Sequence, residues 1–225
     1  MHPLLLVAAL AATPTSTFSS PGCAAAALSG QVATGSLLVS EGDCLAVKVF
    51  TGSPYTHVAG VVVEEGRAFV YDSQNGVGVR KQTLENYLAS IRPDELRLLN
   101  PTEAFDEDQA QEFRGHLEGE LGRPYAVRHH LTGERCDGVH CAEYVTDALM
   151  AADLVKAKQP PRVSPASLRA GLLRHHLYDE SQSITIAESE LERAAGDNWC
   201  EEIWLDTKDC CASCWSGFRR CVLCR

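Results

Sequence analysis

Hydrophobic positions between residues 44 and 99 occur in short runs separated by turn residues, a pattern typical of β-strands. The run 57–63 is rich in valine, and the turn-forming segment 64–67 joins it to the run 68–73, so the two runs predict a β-hairpin. The same pattern predicts a turn at 40–43, strands at 44–50, 76–80 and 95–99, and a short helix at 84–88. This part of the chain therefore predicts an antiparallel sheet.

Farther along the chain the hydrophobic spacing becomes that of amphipathic helices. Segment 106–121 begins with acidic residues and is followed by Gly122, both typical of helix ends. Its hydrophobic face consists of Ala110, Phe113, Leu117 and Leu121. A second helix is predicted to begin at Cys141, because apolar residues recur at 142, 145, 148, 149 and 152, and a third is predicted over 163–173.

Composition fits one globular core followed by a tail of a different kind. The chain has 225 residues, of which 45% are hydrophobic and 22% charged, and its formal net charge is -10. A negative chain of this kind is a poor candidate for nucleic-acid binding, so no nucleic-acid partner is expected. Ten cysteines are unevenly placed, and six of them fall between 200 and 224.

The N-terminal segment resembles a targeting sequence. Residues 3–12 are apolar and too few to span a bilayer, and a Ser/Thr/Pro stretch follows. The length fits the hydrophobic part of a secretory leader, although no Lys or Arg precedes it. We therefore predict a leader or a disordered arm over 1–22, with secretion or a secretory compartment as the corresponding location.

Cys141 is the candidate nucleophile. A thiol in the first turn of a helix lies near unpaired backbone N–H groups and the positive end of the helix dipole, which favour the thiolate. The alternative is a buried structural cysteine. His140 follows the same loop, but neighbouring residues on a helix do not face each other, so the base should come from elsewhere.

His57 and Asp72 are the candidate base and orienting acid. A two-residue loop at 65–66 pairs Glu64 with Arg67 and places His57 diagonal to Asp72, whereas a loop at 64–65 places the two directly opposite. Either loop leaves them on the same face, and a three-residue loop would turn them to opposite faces. Together with Cys141 they form the set required for a Cys-His-acid centre. The backbone N–H of Cys141 is a candidate oxyanion donor, with Tyr55 and Tyr125 as candidate second donors. The alternatives are a half-buried strand histidine and a turn-capping aspartate.

Metal binding is a further alternative at two places. Cys136, His140 and Cys141 have the residue types of a zinc site, but their spacing is irregular. In the tail, two CxxC pairs are separated by fewer residues than zinc knuckles normally allow; they are Cys211, Cys214, Cys221 and Cys224. Disulfides, a structural zinc and acylation at a membrane surface all remain open for this tail. No cofactor is required for the chemistry at Cys141.

Six motifs in order resemble the YiiX/YebB-like group of the NlpC-related superfamily. They are Glu41-Gly42-Asp43, Tyr55-Thr56-His57-Val58-Ala59-Gly60-Val61-Val62, Phe69-Val70-Tyr71-Asp72-Ser73, Leu121-Gly122-Arg123-Pro124-Tyr125, His140-Cys141-Ala142-Glu143-Tyr144-Val145 and Ser164-Pro165-Ala166-Ser167-Leu168. The resemblance covers residues 39–173. Two positions depart from the group's pattern, since Asp72 replaces a Glu and His140 replaces an aromatic residue.

The resemblance implies an α+β, circularly permuted papain-like (NlpC-type) fold, with an antiparallel sheet packed against the helix that bears the nucleophilic cysteine. We expect this domain over 36–178, with an acidic linker and Cys-rich extension over 179–225. The implied activity is cysteine-dependent hydrolysis of an amide or peptide bond through an acyl-enzyme. Lipid acyl hydrolysis or transfer, thioester hydrolysis, and a binding module with an interaction tail are the alternatives.

Overall fold

A seven-stranded sheet forms the centre of the computed structural model, which describes residues 15–42, 45–91, 93–127, 130 and 132–187. Its strand order is β1-β7-β6-β2-β3-β4-β5. All neighbouring strands are antiparallel except β1 and β7, which are parallel. The strands are β1 Thr15–Phe18, β2 Leu37–Glu41, β3 Tyr55–Glu64, β4 Arg67–Gln74, β5 Gly78–Thr83, β6 Glu95–Pro101 and β7 Tyr178–Ile186.

Helices cover both faces of this sheet. They are α1 Pro21–Ser29, α2 Leu45–Thr51, α3 Leu84–Ile91, α4 Glu107–Gly119, α5 Cys141–Ala151 and α6 Pro165–Arg174, with a 3₁₀ turn at Pro160–Arg162. Buried residues of α4, α5 and α6 share one hydrophobic cluster with the sheet, and those of α1 and α3 share a second cluster. The described part of the chain is thus a mixed α+β fold in which a sheet separates two helical layers. No helix of the described ranges has the length and apolar character needed to cross a membrane.

The central strands are apolar on both sides because both faces are covered. In β3, Val58 and Val62 belong to the cluster under α5, whereas Ala59 and Val61 belong to the cluster under α1 and α3. Alternate side chains of a strand point to opposite faces. A strand buried on both faces therefore has the near-continuous apolar run that marked this segment as a strand.

The β3–β4 hairpin has the first of the two registers considered, with Glu64 paired to Arg67 and the loop at 65–66. Glu65 and Gly66 both have positive φ values, 49° and 76°, as a two-residue hairpin turn of the mirror-image type requires. Five other predicted elements are also present, with ends shifted by a few residues. The strands predicted at 76–80 and 95–99 are β5 and β6, and the helices predicted at 84–88, 106–121 and 163–173 are α3, α4 and α6.

The prediction for residues 40–50 is wrong. The predicted strand at 44–50 coincides with helix α2, and the strand β2 lies before it, ending within the predicted turn at 40–43. The valines of 44–50 suggested a strand, but Val49 is 75% exposed. Residues 37–41 instead lie between β3 and β6 and are largely buried. β-Propensity depends on such packing, which local sequence does not reveal.

The fold also extends beyond the predicted limits of 36–178. Strand β1 and the start of α1 fall within 15–22, and β7 occupies most of 179–187, so these residues belong to the sheet and its helices. Residues 1–14, with the apolar part of the predicted leader, and 188–225, with the Cys-rich tail, lie outside the described residues. A leader and the state of the tail cysteines stay predictions.

Candidate active site

Helix α5 begins at Cys141, as predicted. His140 is its N-cap residue, and His140 Nδ1 accepts a hydrogen bond from the backbone N–H of Glu143 at 3.3 Å. Cys141 is only 5% exposed and packs in the cluster between α5 and the sheet. Its thiol therefore lies in the first turn, near N–H groups that have no partner within the helix.

The loop before α5 is held by hydrogen bonds to its backbone. Arg123 donates to three successive carbonyls: its Nε to Asp137 at 2.8 Å, and its Nη2 to Cys136 at 2.9 Å and Gly138 at 3.3 Å. Val139 is held on both sides, because its carbonyl accepts from Ser73 Oγ of β4 at 2.7 Å while its N–H donates to the carbonyl of residue 124 at 2.9 Å. These contacts fix where α5 begins relative to the sheet.

His57 and Asp72 meet as the hairpin register predicts. His57 Nε2 lies 3.0 Å from Asp72 Oδ2. The hydrogen-bonded ladder between β3 and β4 extends only as far as Gly60 and Tyr71, so the two strands are no longer paired where this contact forms. The side-chain contact therefore bridges β3 and β4 just beyond the end of their ladder.

His57 interacts with groups from both layers of helices. Ala59, two residues along β3, packs on the face covered by α3, whereas α5 packs on the opposite face. Tyr87 of α3 stacks on the His57 ring, with centroids 6.4 Å apart and planes at 26°. Hydrogen bonding between the His57 and Cys141 side chains nevertheless contributes to the pKa of each group. His57 thus lies between α3 and the first turn of α5.

The charges of Cys141 and His57 stabilise each other. Burial raises the pKa of the Cys141 thiol, but the charge of His57 and hydrogen bonds from His140 and His57 outweigh it and lower the pKa to about 6. Burial lowers the pKa of His57, but the charge of Cys141 and the hydrogen bond to Asp72 raise it to about 10. Both shifts favour the thiolate form of Cys141 and the imidazolium form of His57.

Asp72 is fully buried and has a second partner that sequence analysis missed. Arg80 Nε donates to Asp72 Oδ1 at 2.8 Å and Arg80 Nη2 to Asp72 Oδ2 at 3.2 Å. Burial raises the pKa of Asp72, but the hydrogen bonds and charges of His57 and Arg80 hold it below its usual value. Arg80 lies directly opposite Asp72 in the β4–β5 ladder, so pairing the predicted strand 76–80 with its neighbour would have found it.

The two predicted tyrosine donors occupy different places. Burial and the negative charge of Cys141 raise the pKa of the half-buried Tyr125, which places this residue near the thiol. Tyr55 is the first residue of β3 and lies under Arg169, whose guanidinium carbon is 4.9 Å from the ring centroid. The electrostatic effect of Cys141 therefore favours Tyr125 over Tyr55 as the tyrosine nearer to the thiol.

The prediction that His140 does not face Cys141 is wrong, because His140 is the extended N-cap residue and not part of the helix. Burial lowers the pKa of His140, but a hydrogen bond to Cys141 and the charge of the thiolate raise it. Its Nε2 lies 2.9 Å from the Pro161 carbonyl, and its ring meets that of His130 edge to face. Within the described ranges, no group of three or more His, Cys, Asp or Glu side chains is arranged to hold a metal ion, and this includes Cys136, His140 and Cys141. The four tail cysteines lie outside those ranges.

Comparison with known proteins finds chains of similar fold among solved structures. Neither a scan against family models nor a search of curated proteins finds a match. Among solved structures, the chain is similar to a protein of Escherichia coli O157:H7 described as "metalloprotein yiiX". Identity is 17% and the TM-score 0.48, over 69% of this chain and 89% of the other. The functional conclusion therefore rests on the residues of the site.

Proposed function

We propose that the protein is a thiol hydrolase in which Cys141 is the nucleophile, His57 the general acid and base, and Asp72 the group that orients His57. The observation that carries this proposal is the convergence of the three side chains from α5, β3 and β4. His57 Nε2 is engaged with Asp72 at 3.0 Å, which leaves Nδ1 for the thiol. A thiolate-imidazolium pair is the reactive form of such a centre.

The reaction follows from this arrangement. The Cys141 thiolate attacks the substrate carbonyl carbon, and the negative charge moves to the carbonyl oxygen. His57 gives its Nδ1 proton to the leaving amine, alcohol or thiol, and the tetrahedral adduct collapses to a thioester with Cys141. Water then attacks the thioester while His57 takes up a proton, and the acid product leaves as the Cys141–His57 ion pair is restored.

The developing oxyanion requires hydrogen-bond donors. As the first residue of α5, Cys141 has a backbone N–H without a partner inside the helix, and the helix dipole adds a favourable field. The hydroxyl of Tyr125 is the second donor in this proposal, because burial and the charge of Cys141 keep its proton in place by raising its pKa. Removing one donor of this kind costs about 100-fold or more in rate.

The bond cleaved is proposed to be an amide or peptide, with lipid acyl and thioester substrates as the alternatives. A panel containing all three bond types, incubated with wild type and Cys141→Ala, decides among them. We expect wild-type turnover that Cys141→Ala abolishes. Cys23→Ala is the matched control, because Cys23 is an exposed cysteine of α1, on the other side of the sheet from α5; we expect it to retain activity.

A binding module without activity predicts a different result. In that case wild type turns over nothing, and iodoacetamide labels Cys141 in the folded chain no faster than in the denatured chain. That pair of outcomes would overturn the proposed function. Labelling of Cys141 that depends on His57 would support it, since only an activated thiol needs the imidazole.

A further inference from the structure

We propose that Arg80 is a positioning residue of this active site, which holds Asp72 as an ionised acceptor aimed at His57. The inference rests on the proposed function. Arg80 reaches Asp72 across the β4–β5 ladder, with Nε 2.8 Å from Oδ1 and Nη2 3.2 Å from Oδ2. Arg80 Nη2 also donates to Ser90 Oγ of α3 at 3.2 Å. The guanidinium is thus fixed both by its own sheet and by the helix above it.

The contacts of Asp72 explain why the site requires Arg80. Asp72 is 0% exposed, and a buried carboxylate is stable only when charged or polar donors satisfy its oxygens. His57 supplies one donor to Oδ2, and Arg80 supplies one to each oxygen. With both oxygens engaged, the carboxylate has a single orientation. That orientation sets the His57 ring, and with it the position of Nδ1 toward Cys141.

Arg80 also affects the pKa of Cys141 through its positive charge. In the reactive state Cys141 is a thiolate and His57 an imidazolium, while Asp72 is a carboxylate and Arg80 a guanidinium. These four groups form a row whose charges sum to zero. Without the guanidinium the row carries one net negative charge in a largely buried place. Removal of a nearby cation makes every group in the row bind protons more tightly. The thiolate of Cys141 would then be lost at a higher pH.

Other titratable groups face the same row. They are Tyr87 of α3, Tyr125 of the loop before α5, His140 before α5 and Tyr144 within it. Burial raises the pKa of each of these tyrosines, so they stay neutral through the acid range. His140 remains unchanged in any Arg80 variant. A difference between wild type and an Arg80 variant in the acid range is therefore attributable to Arg80.

The test compares wild type with Arg80→Gln and Arg80→Lys in the full chain. Alkylation of Cys141 by iodoacetamide is followed by peptide mapping across the acid and neutral range, together with kcat/KM on the best substrate. For Arg80→Gln we expect the inflection of Cys141 reactivity to rise by about one pH unit. For Arg80→Lys we expect the inflection to stay while kcat/KM falls about tenfold, because lysine keeps the charge and loses the two-pronged contact.

Arg114→Gln is the matched control. It also removes an arginine that pairs with carboxylates, Glu118 at 3.2 Å and Glu64 at 3.5 Å, but at the hairpin end of the sheet. In Arg114→Gln the inflection of Cys141 reactivity should lie at the same pH as in wild type. If folded Arg80→Gln keeps the wild-type inflection, or Arg80→Lys keeps wild-type kcat/KM, the role of Arg80 is overturned. If Arg80→Gln does not fold, Arg80→Lys alone decides. If wild-type Cys141 itself shows no activated reactivity, the proposed function has failed instead.

Discussion

The reactivity of Cys141 depends on two opposing effects on its thiol. Burial disfavours the charged thiolate, whereas His57 and the start of α5 favour it. The second set of effects prevails, and the pKa of Cys141 falls to about 6. Because His57 supplies the opposing charge, the acidity of this thiol is a property of the pair and not of Cys141 alone.

A pH profile tests this balance. Because the pKa of Cys141 is lowered to about 6 and that of His57 raised to about 10, the ion pair exists between those values. We expect kcat/KM to rise through about pH 6, stay level, and fall through about pH 10. In His57→Ala the thiolate loses its cation, so alkylation of Cys141 at pH 6 should fall about tenfold. A wild-type alkylation profile that rises only above pH 8 would contradict the ion pair.

Asp72 is tested by a substitution of the same shape. Three donors point at its two oxygens, so the amide nitrogen of Asp72→Asn faces a donor in either orientation. It also leaves Arg80 without its counter-charge. We expect kcat/KM to fall about 100-fold and the free energy of unfolding to fall by about 3 kcal/mol. Substrate assays and urea denaturation measure the two effects.

Asp153→Asn is the control for that substitution. Asp153 is 86% exposed, and its φ of 52° is a conformation that asparagine also adopts readily. The change in unfolding free energy should stay within about 0.5 kcal/mol. If Asp72→Asn and Asp153→Asn lose stability equally, the contacts of Asp72 do not stabilise the fold as proposed.

Elements that are specified by nearby residues could be predicted from the sequence. The β3–β4 register is one of the two that a two-residue loop within 64–66 allows, and the start of α5 follows from a polar loop before an apolar period. Elements decided by distant contacts could not. Segment 44–50 has strand-forming residues, but the sheet position between β3 and β6 is occupied by β2. Arg80 was missed because its partner depends on the β4–β5 register.

The loop before α5 is the element that places the nucleophile, and Gly138 is its tightest position. A Cβ added there would lie 2.5 Å from the Cβ of Ala126 and 2.8 Å from the carbonyl oxygen of Pro124. Those neighbours belong to the backbone segment that pairs with Val139, so they cannot move independently of the loop. The loop must therefore shift, and the first turn of α5 with it.

Gly138→Ala should then lower both stability and reactivity. We expect the free energy of unfolding to fall by about 2 kcal/mol through overpacking, and alkylation of Cys141 at neutral pH to slow. Gly115→Ala is the control, since Gly115 lies in α4 with nothing within 4 Å of an added Cβ. It should raise stability by about 0.5–1 kcal/mol. Equal effects of the two variants would show that the loop tolerates a side chain.

At the scale of the whole molecule, the sheet is completed by segments from both ends of the described chain. Strand β7 pairs with β6 on one side and with β1 on the other, and Thr15 lies opposite Ser183. Such pairing between residues far apart in sequence leaves no local pattern, and β1 has only four residues. The predicted domain limits at 36 and 178 followed the motifs of the site and therefore excluded these strands.

Strand β7 should therefore be necessary for folding, although it contributes no residue to the proposed triad. Ile184 is fully buried in the cluster under α1 and α3, and Glu180 pairs with Arg97 of β6 at 3.0 Å. A chain that ends at Tyr178 loses both contacts and exposes the edge of β6. We expect it to lose more than about 3 kcal/mol of stability, through lost apolar burial and ladder hydrogen bonds.

A chain that ends at Ala187 is the matched comparison, because it keeps β7 and lacks only residues 188–225. We expect it to unfold at the same urea concentration as the full chain and to retain the alkylation rate of Cys141, since every group of the proposed centre lies between 57 and 141. Urea denaturation is followed by circular dichroism. Tryptophan fluorescence cannot compare the chains, because all three tryptophans lie in the removed segment. If the chains ending at 178 and 187 are equally stable, β7 has no structural role. If removal of 188–225 alone abolishes the reactivity of Cys141, the tail takes part in the site.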